Sequence, residues 1–195
     1  MNPATADRLV HWVESIGGTC HVFRKPSELP IRLAVDEPDA VGIDRVFGAL
    51  AARSLVPPGT PAITVDVGTA VTVNLVDAAG VFRGGAIFPG PRSMGRALRD
   101  YTAKLPLVDV TERVGDYPPG TNTVAAIRLG IEATVVAGVN SLICYFADLC
   151  PAVPRVFVTG GAAAVLDGYR GPDWEPVHEP ALNLLGIRHV AETLP

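Results

Sequence analysis

Apolar residues recur along this chain with two different periods, and the change between them divides it. From Ala6 to Ile16, Leu9, Val10, Trp12, Val13 and Ile16 share one face at helical spacing, and Gly17-Gly18 ends the run. Cys20 to Phe23 and Ile31 to Val35 read as short extended runs around a polar loop holding Pro26 and Pro30. Asp36-Glu37-Pro38-Asp39 reads as a turn and Gly42 to Arg53 as an apolar helix. Val56-Pro57-Pro58-Gly59 then breaks the pattern, which predicts a domain boundary between residues 1–58 and 59–195.

Beyond the break the period drops to two. Pro61 to Val67 and Ala70 to Val76 predict paired strands about a tight Gly68-Thr69 turn, and Asp77-Ala78-Ala79-Gly80 leads into a third, Val81 to Phe88. Pro89-Gly90-Pro91 ends that strand, and Ser93 to Leu105 is predicted helical. A loop at Tyr117 to Gly120 precedes a long helix, Thr123 to about Leu149. Arg155 to Val158 is a predicted strand ending in Thr159-Gly160-Gly161, followed by a helix opened by Ala162 to Leu166. A short strand at Val177 and a helix from Ala181 to Thr193 complete the order β-β-β-α-α-β-α-β-α. Three antiparallel strands followed by strand–helix alternation predict an α/β mixed sheet with helices on its faces. That order resembles the ribonuclease-H-like core of the actin and sugar-kinase superfamily, with one complete C-terminal domain. Residues 1–58 are expected to be the remnant of an incomplete first domain.

Composition narrows the classes of function. The 195 residues are 48% hydrophobic and carry a net charge of −4, with no basic stripe interleaved with aromatics. This argues against nucleic acid as a partner. Cys20, Cys144 and Cys150 form no C-x-x-C pair and fit a reduced, cytoplasmic protein. Ile131 to Leu149 is interrupted by Glu132, Asn140, Ser141 and Asp148, and reads as a buried helix rather than a membrane span.

The densest candidate chemistry is Asp66-Val67-Gly68-Thr69-Ala70, at the turn between two apolar strands. There Asp66 can hold a cation and Thr69 can donate to a phosphoryl oxygen, while Gly68 lets backbone N–H groups approach an anion. The same residues suit a plain hairpin whose Asp caps its own turn. Asp44, in the first turn of a helix, either complements the helix dipole or serves as general base toward a substrate hydroxyl. Arg45 beside it is either solvated or a bidentate partner for a carboxylate. Gly84-Gly85 permits close approach of a ligand or of a neighbouring element. Gly160-Gly161 suits bare backbone under an adenosine, or simply a strand-to-helix turn. Thr121-Asn122-Thr123 opens the long helix, where a Thr cap is the ordinary explanation. No P-loop, G-x-G-x-x-G or G-x-S-x-G pattern occurs, and the four histidines have no metal-ligand spacing.

Six segments in one order resemble the type III pantothenate kinases. They are Glu37 to Arg45 (EPDAVGIDR), Asp66 to Thr72 (DVGTAVT), Gly84 to Gly90 (GGAIFPG), Thr102 to Pro106 (TAKLP), Gly120 to Thr123 (GTNT) and Thr159-Gly160-Gly161. The resemblance implies transfer of the γ-phosphoryl group of ATP to the primary hydroxyl of pantothenate, the first step toward coenzyme A. It implies Asp44 as the base, and Gly42, Ile43, Asp44 and Arg45 as one wall of the pantothenate site, with Arg45 near the carboxylate. Thr123 adds a substrate contact. Asp66 holds a monovalent cation, K+ or NH4+, with Mg2+ accompanying ATP. Gly68 and Thr69 meet the phosphates, and Gly160 and Gly161 the adenosine. A homodimer packed on the long helix is also implied.

Two features depart from that family. Ala162-Ala163-Ala164 follows Thr159-Gly160-Gly161 where the family carries an acidic or amide residue. No D-x-G-N-T phosphate loop occurs in the 195 residues. Each well-placed donor lost from a transferring phosphoryl group costs on the order of 10²–10³ in rate. A poor kinase is therefore expected, with the Cys20 and Ile31 runs left with unpaired edges. A non-catalytic binding or regulatory relative and another kinase of the same superfamily are the alternative readings.

Overall fold

The central strands are buried along almost their whole length, so the sheet is covered on both faces. The computed structural model describes residues 3–113, 119–168 and 174–194. Five strands form one mixed sheet: β1 (Ala62–Val67), β2 (Ala70–Val76), β3 (Phe82–Pro89), β4 (Arg155–Thr159) and β5 (Pro176–His178), in the order β3-β2-β1-β4-β5. β1 pairs antiparallel with β2 and parallel with β4, while β2–β3 is antiparallel and β4–β5 parallel. The helices are α1 (Pro3–Ser15), α2 (Ile43–Ser54), α3 (Pro91–Tyr101), α4 (Thr123–Ala147) and α5 (Leu182–Ala191).

Strand alternation sorts the side chains into two cores. Ile63, Val65, Val67, Val71, Val73, Val156 and Val158 face α4, which lays Ile127, Ile131, Val135, Val139, Ile143 and Phe146 against them at helical spacing. Ala62, Val76, Phe82 and Phe157 belong to the other core, where α2 and α5 contribute Val46, Phe47, Leu50, Leu182 and Val190. α4 is, by length and composition, long and apolar enough to cross a membrane, which Glu132, Asn140 and Ser141 within it do not prevent; its inner stripe is packed on the sheet.

The meander, β4, β5 and the five helices fall where the apolar pattern places them, with ends shifted by at most four residues. Three expectations are corrected. Cys20 to Phe23 forms no strand: Val22 is exposed and Phe23 instead packs edge-on against Phe47 at 6.4 Å. Ile31 to Val35 makes only an isolated bridge between Leu33 and Phe82. Leu29 and Ile31 are anchored by their side chains in the second core. The run meets β3 only at Phe82, whose carbonyl accepts from Ala34 N–H and whose N–H donates to the Arg32 carbonyl, too short a pairing to extend into a ladder. Ala163–Leu166 closes as a short 3-10 turn, because Ala162 N–H is held by the Val67 carbonyl at 2.9 Å and Asp167 is extended. The loop predicted at Tyr117 to Gly120 lies partly outside the described residues.

Candidate active site

α2 begins at Gly42, which places Asp44 and Arg45 in its first turn beside the sheet. Asp44 is exposed, and Arg45 folds back over β2. Arg45 Nε donates to Asn74 Oδ1 at 2.7 Å, and the guanidinium lies 5.7 Å from the centroid of the Phe82 ring. Burial pulls the Arg45 pKa down while the Asp44 charge pushes it up, and arginine stays a cation throughout. Among the described residues Arg45 forms no ion pair.

Asp66 occupies the last turn-facing position of β1, where alternation points it to the same face as Thr64 and, across the pair, Thr72. Its Oδ2 accepts a hydrogen bond from Asn183 Nδ2 of α5 at 3.2 Å, so the carboxylate does not cap its own hairpin. Burial raises the Asp66 pKa, the Asn183 bond opposes that, and the like charge of Asp44 adds to it. A carboxyl whose folded pKa exceeds its unfolded value favours the folded state while protonated. That contribution is complete below the unfolded value of about 3.9 and is lost as pH rises through the folded one. Asp66→Asn keeps the shape without the charge. It is expected to melt above the parent at pH 7, with the gain vanishing near pH 3. Equal melting temperatures at pH 7 would contradict the assignment.

Gly160 follows β4 with φ +104°, and a Cβ there would lie 2.5 Å from both Asp66 Oδ1 and the Val67 carbonyl. Only glycine lets the β4 turn close against the Asp66 carboxylate. Gly161 faces open space. At the β1–β2 turn, Gly68 N–H is committed to the Ala70 carbonyl at 3.0 Å, so it is not spare for a ligand. The Thr69 side chain is exposed, while its carbonyl accepts from Gly90 N–H and from Ser93 Oγ of α3. Gly85 serves the sheet, since a Cβ there would meet the Val73 carbonyl at 2.0 Å.

Asp44, Ile43, Arg45, Asp66 and Gly160 therefore gather at one end of the sheet, on the face covered by α2 and α5. Thr123 is not brought to them: it starts α4, which covers the opposite face. The cap of α4 is Asn122, whose side chain accepts from Ala125 N–H at 2.9 Å, and not a threonine. The Thr123 hydroxyl is left exposed.

Two partners escape the motif reading. Asn74 lies two residues past Thr72 on the same strand face, so strict alternation places it in line with Thr72, although no motif includes it. Asn183 sits 117 residues from Asp66 and carries no local signal.

Chemically, Asp44 stands within electrostatic reach of both the half-buried Arg45, which forms no ion pair among the described residues, and the partly buried Asp66. Asp66, desolvated and held by a neutral amide, offers one carboxylate that can take part in holding a cation. Among the described residues no group of three or more His, Cys, Asp or Glu side chains gathers to hold a metal ion.

The fold places the chain among the ribonuclease-H-like proteins of the actin and sugar-kinase class. A solved Baf family transcriptional activator from Campylobacter jejuni superposes with a TM-score of 0.64 at 15% identity, over 95% of this chain and 78% of that one. MreB5 of Spiroplasma citri, bound to ADP, gives 0.54 at 11% identity over 97% of this chain and 75% of its own. Within that class, the chain belongs to the type III pantothenate kinase family, whose family model matches residues 1–144. The type III pantothenate kinase of Rhodopirellula baltica is 37% identical over 93% of this chain, and that of Rubrobacter xylanophilus 43% identical over 78%. The chain spans 66% and 58% of the lengths of those relatives.

Proposed function

We propose that this chain carries the acceptor and cation side of a site that phosphorylates pantothenate from ATP in the cytoplasm, toward coenzyme A. The observation that carries the reading is Arg45, half-buried and without an ion pair among the described residues, next to Asp44 at the start of α2 and bonded to Asn74 of β2. A desolvated cation with open Nη groups is a receptor for a carboxylate. Pantothenate offers a carboxylate at one end and a primary hydroxyl at the other.

In this reading Arg45 binds the carboxylate and Gly42 and Ile43 shape the wall. Asp44 accepts the hydroxyl proton as that oxygen attacks the γ-phosphorus and ADP departs with the electron pair of the broken bond. Asp66 would hold K+ or NH4+, and Mg2+ would accompany ATP; their charge would offset that of the phosphate oxygens. Thr69 reaches a phosphate with its hydroxyl, and Gly160 and Gly161 lie against the adenosine; the ADP on MreB5 supports a nucleotide on this fold. Because Thr123 begins a helix on the opposite face, its contact is assigned to a second copy. The homodimer is supported by the outer face of α4, where Ala126, Gly130, Ala133, Ala137 and Ser141 are exposed. We retain residues 1–58 as the end of a first ribonuclease-H-like domain and 59–195 as the second, with α2 docked on the second domain's sheet.

Calorimetric titration with pantothenate tests the reading. The parent is expected to bind, and Arg45→Met to bind about ten- to a hundredfold more weakly, as for a lost charge-assisted hydrogen-bonded pair. Equal affinities would overturn it.

A further inference from the structure

Arg45 has five N–H donors, and the structure commits one of them. Nε is taken by Asn74 Oδ1 at 2.7 Å, while the Nη groups form no hydrogen bond with the described residues. The orientation of the Asn74 amide is forced. Arginine can only donate, so Oδ1 must face it, and Nδ2 then donates to Thr64 Oγ1 at 3.1 Å and Thr72 Oγ1 at 3.4 Å. Asn74 is 1% exposed and Thr64 3% exposed, so the inner half of this network is buried between sheet and helix, while Thr72 and Arg45 are partly exposed. The Phe82 ring lies near the guanidinium as a second support.

We propose that Asn74 is a positioning and selectivity residue. It fixes Arg45 through Nε so that only the end-on Nη fork faces the site, and being neutral it leaves the arginine's charge for the substrate's carboxylate. The selectivity half rests on the reading that Arg45 meets that carboxylate. An aspartate at 74 would fit the same space, because the two threonine hydroxyls can rotate from accepting to donating. It would, however, give Arg45 a permanent buried counter-ion and weaken its pull on a ligand anion. A merely structural role for Asn74 would not distinguish charged from uncharged ligands.

The test compares the parent, Asn74→Asp and Asn74→Leu. Each is titrated with pantothenate and with its alcohol analogue, in which a hydroxymethyl group replaces the carboxylate. The parent should prefer pantothenate, and Asn74→Asp should lose about tenfold in that preference while its affinity for the alcohol stays within about twofold. Preference retained in Asn74→Asp overturns the selectivity claim. If the parent itself shows no preference, the reading of Arg45 fails, and the selectivity claim with it. The positioning claim is then decided without ligand, by the NMR signal of the Arg45 Nε–H. Slow exchange with water in the parent, kept in Asn74→Asp and lost in Asn74→Leu, supports it. Fast exchange in the parent, or a signal unchanged in Asn74→Leu, overturns it. Should Asn74→Leu not fold, loss of the slow signal in Asn74→Ala serves instead.

Discussion

Asp44→Asn is expected to lower turnover of pantothenate by about 10²–10⁴-fold, the usual worth of a positioned general base. Asp44 is exposed at the start of α2, so the substitution disturbs no packing. The asparagine keeps the shape and the stabilising position near the helix N-terminus but cannot accept the hydroxyl proton. Pantothenate affinity should stay within a few-fold of the parent, because Arg45 and not Asp44 meets the carboxylate. The split between a large loss in kcat and a small change in binding separates a base from a binding group. Single-turnover transfer from radiolabelled ATP reads the rate even where it is slow.

Gly160→Ala is the substitution with the largest expected effect on stability. The backbone there has φ +104°, and an added Cβ meets Asp66 Oδ1 and the Val67 carbonyl at 2.5 Å. Asp66 can swing its carboxylate aside only by giving up its bond to Asn183, and the Val67 carbonyl and amide nitrogen, at 2.5 and 2.6 Å, are backbone that cannot rotate away. Backbone strain and overpacking together are expected to cost about 2–5 kcal/mol. A lower urea midpoint with an unchanged m-value would show it. Because the new methyl group presses on Asp66, cation dependence should weaken along with stability. A loss below about 1 kcal/mol would mean that the β4 turn relaxes freely and does not hold Asp66 in place.

The parts of this fold that could be read from the chain are those where one physical signal acts alone. The alternating Val65, Val67, Val71 and Val73 can only be strands buried on a face, and the Ile127 to Phe146 stripe can only be a helix laid across them. The Cys20 and Ile31 runs show the limit. Their β-branched and aromatic residues satisfy a local pattern, yet a strand also needs a neighbour to pair with, and that is a long-range fact. The site divides in the same way. Asp44, Arg45, Asp66 and Gly160 sit in short motifs at element ends and were legible as candidates. Which of them meet was not: Thr123 stands with them in the motif order but begins a helix on the other face. The residues that tune the charges, Asn74 and Asn183, act from mid-strand and from 117 positions away, where no motif marks them.

Label transfer from ATP to pantothenate tests the central claim most directly. With pantothenate and ATP at saturation in a potassium buffer, γ-labelled phosphate should appear on the primary hydroxyl of pantothenate, and Asp44→Asn should slow its appearance about 10²–10⁴-fold. Saturating pantothenate with label released only to water, or transfer that persists undiminished in Asp44→Asn, would contradict the account.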